Sequence, residues 1–320
     1  MQQTINQIER EQNAAYWDRV TRRRARSQQN PPQVIYDLKT PLVFDCRFKT
    51  NRRIGIGDQF CLLSAIQAVS EKMGGGVEIQ HDTEHPGSTA VFGMSGLPVA
   101  TRSAIEPRNI IPCRHHPFDP AIGSARSYYA EKVGCPVAQY YHNWGWHDVF
   151  KAPPIKLSLY PSADAQKQAD AITGGIGSYV TCTPLEASRH NNDTTPAVWR
   201  RALGGIKAGT ILFGCSQLDR GWMFDFVADM GLTQRTQIIT TSLAAWKCLI
   251  DSADRNYTGN SAGMWLSFAS STPTTLLQCN DVEHPHNTMW DYKTEWKCAN
   301  ISVEEVEKRE GTTQPPHGTP

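Results

Sequence analysis

The chain has 320 residues, 39% hydrophobic and 20% charged, and carries a net charge of +1. That composition suits a soluble globular protein, and the length suggests two domains of roughly 100–150 residues each, the usual reach of one core. A near-neutral balance sets up no global field towards nucleic acid or membrane, so any such attraction must be local.

No stretch approaches the ~18–20 apolar residues that a membrane-spanning helix needs. The N-terminus lacks the apolar segment of a signal peptide. The nine cysteines are odd in number and scattered, with no C-x-x-C pair. Cys61 and Cys248 sit inside apolar runs, where a free thiol behaves as a small hydrophobe. This favours a reducing cytoplasm and offers no zinc site.

Residues 1–35 read as a polar arm, helical up to Asn30-Pro31-Pro32, with a basic cluster at Arg19 and Arg22–Arg26. Such a cluster is either a solvated helix face or an electrostatic foot on phosphates. The first domain, 36–152, opens with a buried strand at Pro41–Cys46. After a polar loop, a glycine turn (Gly55-Ile-Gly57-Asp58) leads into a helix. Its stripe is Phe60, Leu63, Ile66, Val69 and Met73. Gly74–Gly76 ends it, and Val77–Gln80 reads as the next strand. Weaker alternation follows through Leu97–Thr101, Asn109–Pro112 and Tyr128–Val133. The aromatic cluster Tyr140–Trp146 would line a ligand cleft or fill a core.

A proline-rich linker, Lys151–Pro161, leads to the second domain, 153–300. Strands are expected at Tyr179–Thr183, Thr210–Phe213 and Gln237–Thr240, with helices at Ala197–Leu203 and Met223–Met230. Ser242 is placed to cap a helix running to Ile250. The stretch Asn256–Gln278 then reads as strand, small-residue turn, short helix and strand. A helix start has backbone amides without intrahelical partners, so such a turn can hold an anion without a cationic side chain. Residues 301–320 are expected to form a helix, Ser302–Arg309, and a disordered tail.

Each half thus carries a glycine turn opening a helix. Asp58, at the tip of the first, is either a helix-terminal carboxylate or a general base at a cleft rim. Gly55 and Gly57 are followed by Phe60, so the full dinucleotide fingerprint G-x-G-x-x-G is absent. His81-Asp-Thr-Glu84-His85 matches a metalloprotease pattern, but Pro86 prevents both histidines from sharing one helical turn. His115-His116 and His284-Pro-His286 lack a third ligand, and Asp254–Asn256 is not a metal-binding D-x-D. No metal and no cofactor is expected.

In their order these motifs resemble the ADP-heptose lipopolysaccharide heptosyltransferases. Ile54-Gly-Ile-Gly-Asp58 with Leu62–Ile66 matches the family's opening turn and helix. Ser242-Leu243 through Leu249-Ile250, Gly259–Leu266 and Ser271-Thr272-Pro273 follow its C-terminal half, and Cys298–Val306 its closing helix. The resemblance runs over roughly 44–306. It implies an α/β GT-B fold, two Rossmann-like doubly wound domains facing across a cleft. It also implies an inverting glycosyltransferase with a nucleotide-sugar co-substrate. Asp58 would be the catalytic base, and Gly57, Ser261, Ala262 and Gly263 would lie at the donor, with the diphosphate on 261–263. Arg189, then His190, would be the cationic phosphate ligand, and Gln217 and Asp219 would face the nucleoside. Two departures concern the donor sugar: Asn260 and Trp265 stand where the family has Asp and His. An amide keeps hydrogen bonding without the charge, and indole offers only a donor and a stacking face. The acceptor favoured is a saccharide or lipid-linked glycan. Alternatives are DNA with hydroxylated bases, reached by the basic arm, a nucleotide-sugar epimerase on the same fold, or a non-catalytic binding module.

Overall fold

The computed structural model describes residues 38–47, 55–81, 85–99, 110–113, 137, 140–141, 144–146, 149–150, 157–184, 195–206, 209–232, 235–259, 261–280 and 301–307. The basic arm, Tyr128–Val133 and the tail beyond 307 lie outside them. The chain divides into two compact units. The first comprises Met1–Ile54, Ser64–Thr83 and Leu97–Pro153; the second comprises Gly55–Leu63, Glu84–Gly96 and Pro154–Pro320. Neither is continuous in sequence, and the dividing line runs through α1 (Ile56–Met73).

In the first unit, β1 (Leu42–Cys46) is the centre of a three-stranded parallel sheet, between β2 (Val77–His81) and β3 (Ile110–Pro112). All five β1 residues are buried, as the near-continuous apolar run of a central parallel strand requires. Leu42 is in register with Val77 and Val43 with Ile110. The aromatic cluster belongs to this core. The Phe44 ring lies edge-on to Trp144 at 5.0 Å and to Trp146 at 6.5 Å, and Tyr141 stacks on Phe150 at 4.8 Å. Each such pair adds about 0.5–1.5 kcal/mol beyond burial alone. The polar residue of the strand, Asp45, is buried but matched: Arg47 grips it with Nε and Nη2, each at 2.8 Å.

The second unit holds a six-stranded parallel sheet in the order β6-β5-β4-β7-β8-β9. The strands are β4 (Tyr179–Thr183), β5 (Thr210–Gly214), β6 (Arg235–Ile239), β7 (Arg255–Thr258), β8 (Thr274–Asn280) and β9 (Ile301–Glu307). The chain lays β4, β5 and β6 outward on one side. It then returns beside β4 with β7 and continues outward through β8 and β9. Strand order therefore reverses between β4 and β7, and the crevice at the C-terminal ends of such a pair is where open α/β sheets bind ligands. The helices of this unit are α2 (Pro86–Gly93), α3 (Ala163–Thr173), α4 (Pro196–Leu203), α5 (Arg220–Met230), α6 (Leu243–Ser252) and α7 (Ala262–Phe268). Trp199, Phe213 and Met230, all fully buried, join α4, β5 and α5 in one core. Arg200 closes the C-terminal end of α5 by donating to the Met230 and Asp229 carbonyls.

Most expected elements are present within a residue or two, and Ser242 caps α6 by accepting from the Ala245 amide at 3.2 Å. The expected closing helix, Ser302–Arg309, is a strand instead. Residues 301–307 pair in parallel with β8 over seven residues, from Thr274↔Ile301 to Asn280↔Glu307. The run ISVEEVE carries three β-branched apolar residues, and a free sheet edge outweighs the helix propensity of its glutamates. Two helices were not anticipated. In α2, Pro86 stands in the first turn and the His85 Nδ1 accepts from the Ser88 amide at 3.1 Å. His81 closes β2 while His85 caps α2, so the two share no helical turn. In α3, Ser162 caps the start and only alanines, Ala165 and Ala169, are buried, a stripe too weakly apolar to signal a helix. No helix among the described residues is long and apolar enough to cross a membrane.

Candidate functional site

The small-residue turn 259–263 connects β7 to α7 at the C-terminal end of β7, beside the end of β4. It lies at the reversal point of the sheet. The Gly259 amide donates to the Thr183 carbonyl at 3.1 Å, tying the turn to the end of β4. Ser261 is the N-cap of α7, its Oγ accepting from the Gly263 amide at 3.2 Å. The Ser261 amide is taken by the Gly259 carbonyl at 2.9 Å and the Met264 amide by the Ser261 carbonyl at 3.1 Å. The Ala262 amide has no acceptor among the described residues. Ser261 and Ala262 are half-exposed, whereas Gly259 and Gly263 are buried.

Gly263 has a role that the sequence did not disclose. A Cβ there would sit 2.7 Å from Thr258 Oγ1 and 2.8 Å from Thr183 Cβ. Its smallness lets α7 pack directly on the ends of β4 and β7, as a glycine does in close helix–strand packing. The half-exposed tip is confined to Ser261 and Ala262.

Asp58 is the third residue of α1, and its carboxylate folds back over the helix start. A Cβ on Gly55 would be 3.1 Å from Asp58 Oδ2. That is the helix-terminal position at which an acidic group complements the dipole. Asp58 is also half-exposed, so the same geometry leaves it open to a reactant. Within the second unit, Gly57 lies against Trp265 of α7: a Cβ on Gly57 would stand 3.2 Å from the indole Nε1. Trp265 is 5% exposed and edge-on to Phe268 at 5.5 Å. The structure therefore brings Gly57, next to Asp58 in α1, against Trp265 of α7, the helix that the Ser261–Gly263 turn opens. Arg189, His190 and Asn260 lie outside the described residues.

The loop after β5 holds Gln217 exposed, and Asp219 accepts from Ser216 Oγ at 2.6 Å. No sequence motif singles out Trp246, whose Nε1 donates to Thr183 Oγ1 at 3.1 Å beside the same crevice. Nor does a motif single out the buried polar residues Thr181, Asn256 and Ser267. The available signal was an asparagine in the middle of a buried strand, where apolar or β-branched residues are usual.

No protein-family model and no curated protein matches the sequence. Solved structures do. A glycosyl transferase of family 9 from Veillonella parvula superposes with a TM-score of 0.60 at 11% identity, over 85% of this chain and 88% of that one. The iron-containing dodecameric glycosyltransferase TibC of enterotoxigenic E. coli gives 0.50 at 12% identity, over 86% of this chain and 65% of that one. The E. coli ADP-heptose lipopolysaccharide heptosyltransferase II gives 0.48 at 10% identity, over 84% and 92%. The fold is GT-B. At these identities the likeness is one of fold, and that fold is the one the resemblance implied.

Proposed function

We propose that the protein is an inverting glycosyltransferase that moves a sugar from a nucleotide-sugar donor to a hydroxyl of a saccharide or lipid-linked glycan. The observation that carries this reading is the position of the half-exposed Ser261–Ala262 tip at the β4/β7 reversal point, opening the helix whose Trp265 lies against Gly57. α7 is only two turns long, so its dipole is weak. The diphosphate is held instead by the Ser261 hydroxyl and the Ala262 amide, assisted by Arg189 or His190, while Asn260 contacts the donor sugar. Asp58 takes the proton of the acceptor hydroxyl, whose oxygen attacks the anomeric carbon as the bond to the diphosphate breaks. Inversion follows from attack on the face opposite the leaving group. Proximity and stabilisation of the departing diphosphate supply most of the rate. Trp265, occupying the place of a histidine in the family, shapes the donor-sugar pocket. The nucleotide sugar is the co-substrate, and neither metal nor other cofactor is assigned a step.

The six free cysteines among the described residues, five of them buried, fit a reducing cytoplasm as the site of action. The DNA-acceptor alternative gains no support from the neighbouring structures. The reading is tested by screening nucleotide sugars for a rise in melting temperature. A ligand at a hundred times its Kd stabilises by about 2.7 kcal/mol. With the donor found, Asp58→Asn should keep donor binding and lower turnover by about 10²–10⁴-fold, the usual span for loss of a general base. A purely helix-terminal Asp58 would instead lose about 1 kcal/mol of stability with turnover intact.

A further inference from the structure

Behind the turn runs a buried chain of side-chain hydrogen bonds that the proposed reaction does not itself require. Thr181 of β4 and Asn256 of β7 are cross-strand partners at the reversal point of the sheet. Thr181 Oγ1 donates to Asn256 Oδ1 at 2.9 Å. Asn256 Nδ2 donates to Ser267 Oγ at 2.7 Å. Ser267 Oγ in turn donates to the Gly263 carbonyl at 2.7 Å. All three side chains have 0% exposure.

Burying a hydroxyl or an amide without a partner costs about 1–3 kcal/mol, and an apolar trio of similar shape would serve packing at no such risk. Here every donation runs in one direction and ends on Gly263, the residue whose amide Ser261 caps. A hydrogen-bonded chain of this kind polarises and stiffens its terminal member. The back-bond from Ser267 to the carbonyl four residues earlier also ties that side chain to the first turn of α7. Because Gly263 has no side chain, nothing of its own anchors its peptide plane.

We propose that Thr181, Asn256 and Ser267 form a positioning relay that holds the Ser261–Gly263 turn in the orientation needed to bind the diphosphate of the donor and of the product. They are positioning residues, since none touches the ligand. The inference rests on the reading of that turn as the diphosphate site. It sets the affinity for nucleoside diphosphates to depend on a serine buried a full helical turn away.

The test uses the full chain and three probes, ADP, UDP and GDP, titrated by calorimetry, with melting curves and amide exchange of residues 261–264 in parallel. Ser267→Ala is expected to weaken the probe that binds wild type by about tenfold, the upper range for one net hydrogen bond. Its cooperative melting should persist, and the turn amides should exchange faster. Ser267→Cys, of like size with a weaker S–H donor, should fall between the two. Should Ser267→Ala not fold, Thr181→Val removes the far end of the relay and should weaken the same probe about threefold, a fraction of one net bond. Unchanged affinity in the folded variants overturns the relay while leaving the site intact. If wild type binds none of the three probes, the assignment of the turn fails and the relay fails with it.

Discussion

At the scale of single residues, two neighbours in one turn have different duties. Gly263 is confined by Thr258 and Thr183, so Gly263→Ala should cost the ~1–3 kcal/mol of stability typical of overpacking and melt at a lower temperature. A binding defect in that variant would report packing. Ala262 is half-exposed at the helix start, where an acidic residue is itself favourable. Ala262→Glu should therefore melt near wild type yet bind nucleoside diphosphates at least tenfold more weakly, because like charges meet; unchanged affinity would remove the diphosphate from this turn. This division was not legible in the sequence. Small residues in a turn look alike whether they admit a ligand or a strand, and only the approach of Thr183, 80 residues earlier in the chain, separates the cases. The helix-terminal position of Asp58, by contrast, was legible, because a carboxylate at a G-x-G-D turn is fixed by local geometry alone.

Elements were legible where their period was strong and their caps orthodox. α1, the strands β4, β5 and β7, and α6 with its Ser242 cap all follow from local pattern. β9 did not, because its conformation is decided by pairing with β8. The attachment of α6 to β4 offers a further check. Tyr179 of β4 donates its hydroxyl to the Leu249 carbonyl of α6 at 3.0 Å. Burial pushes the Tyr179 phenol up from 10.0 to about 12, with nearby aspartates adding to the effect. A raised pKa in the folded state means that the folded protein binds more protons than the unfolded one between these values. Stability is therefore fully present below pH 10 and falls as pH rises towards about 12. Tyr179→Phe should flatten that part of the denaturation profile, and an unchanged slope would assign alkaline unfolding to other groups.

At the scale of the whole molecule, thiols report how closed the cores are. Burial pushes the Cys46 and Cys182 thiols well up, and both are fully inaccessible, one in each unit. Thiolate is the reactive form, so both should resist alkylation in the native protein and react only on unfolding. Mass-mapped labelling along a denaturant series would show whether the two become reactive together or one unit at a time. The discontinuous units also constrain how the protein is made. Segments Gly55–Leu63 and Glu84–Gly96 belong to the second unit, where α2 packs on α6 and Gly96 lies under the Tyr160 ring. A growing chain emerges at about 5–20 residues per second. Those early segments, apolar side chains included, must wait on the order of 10–30 s for α6 to leave the ribosome. Synthesis thus imposes an interval in which α2, whose Val91 and Phe92 are buried in the finished protein, lacks its packing on α6.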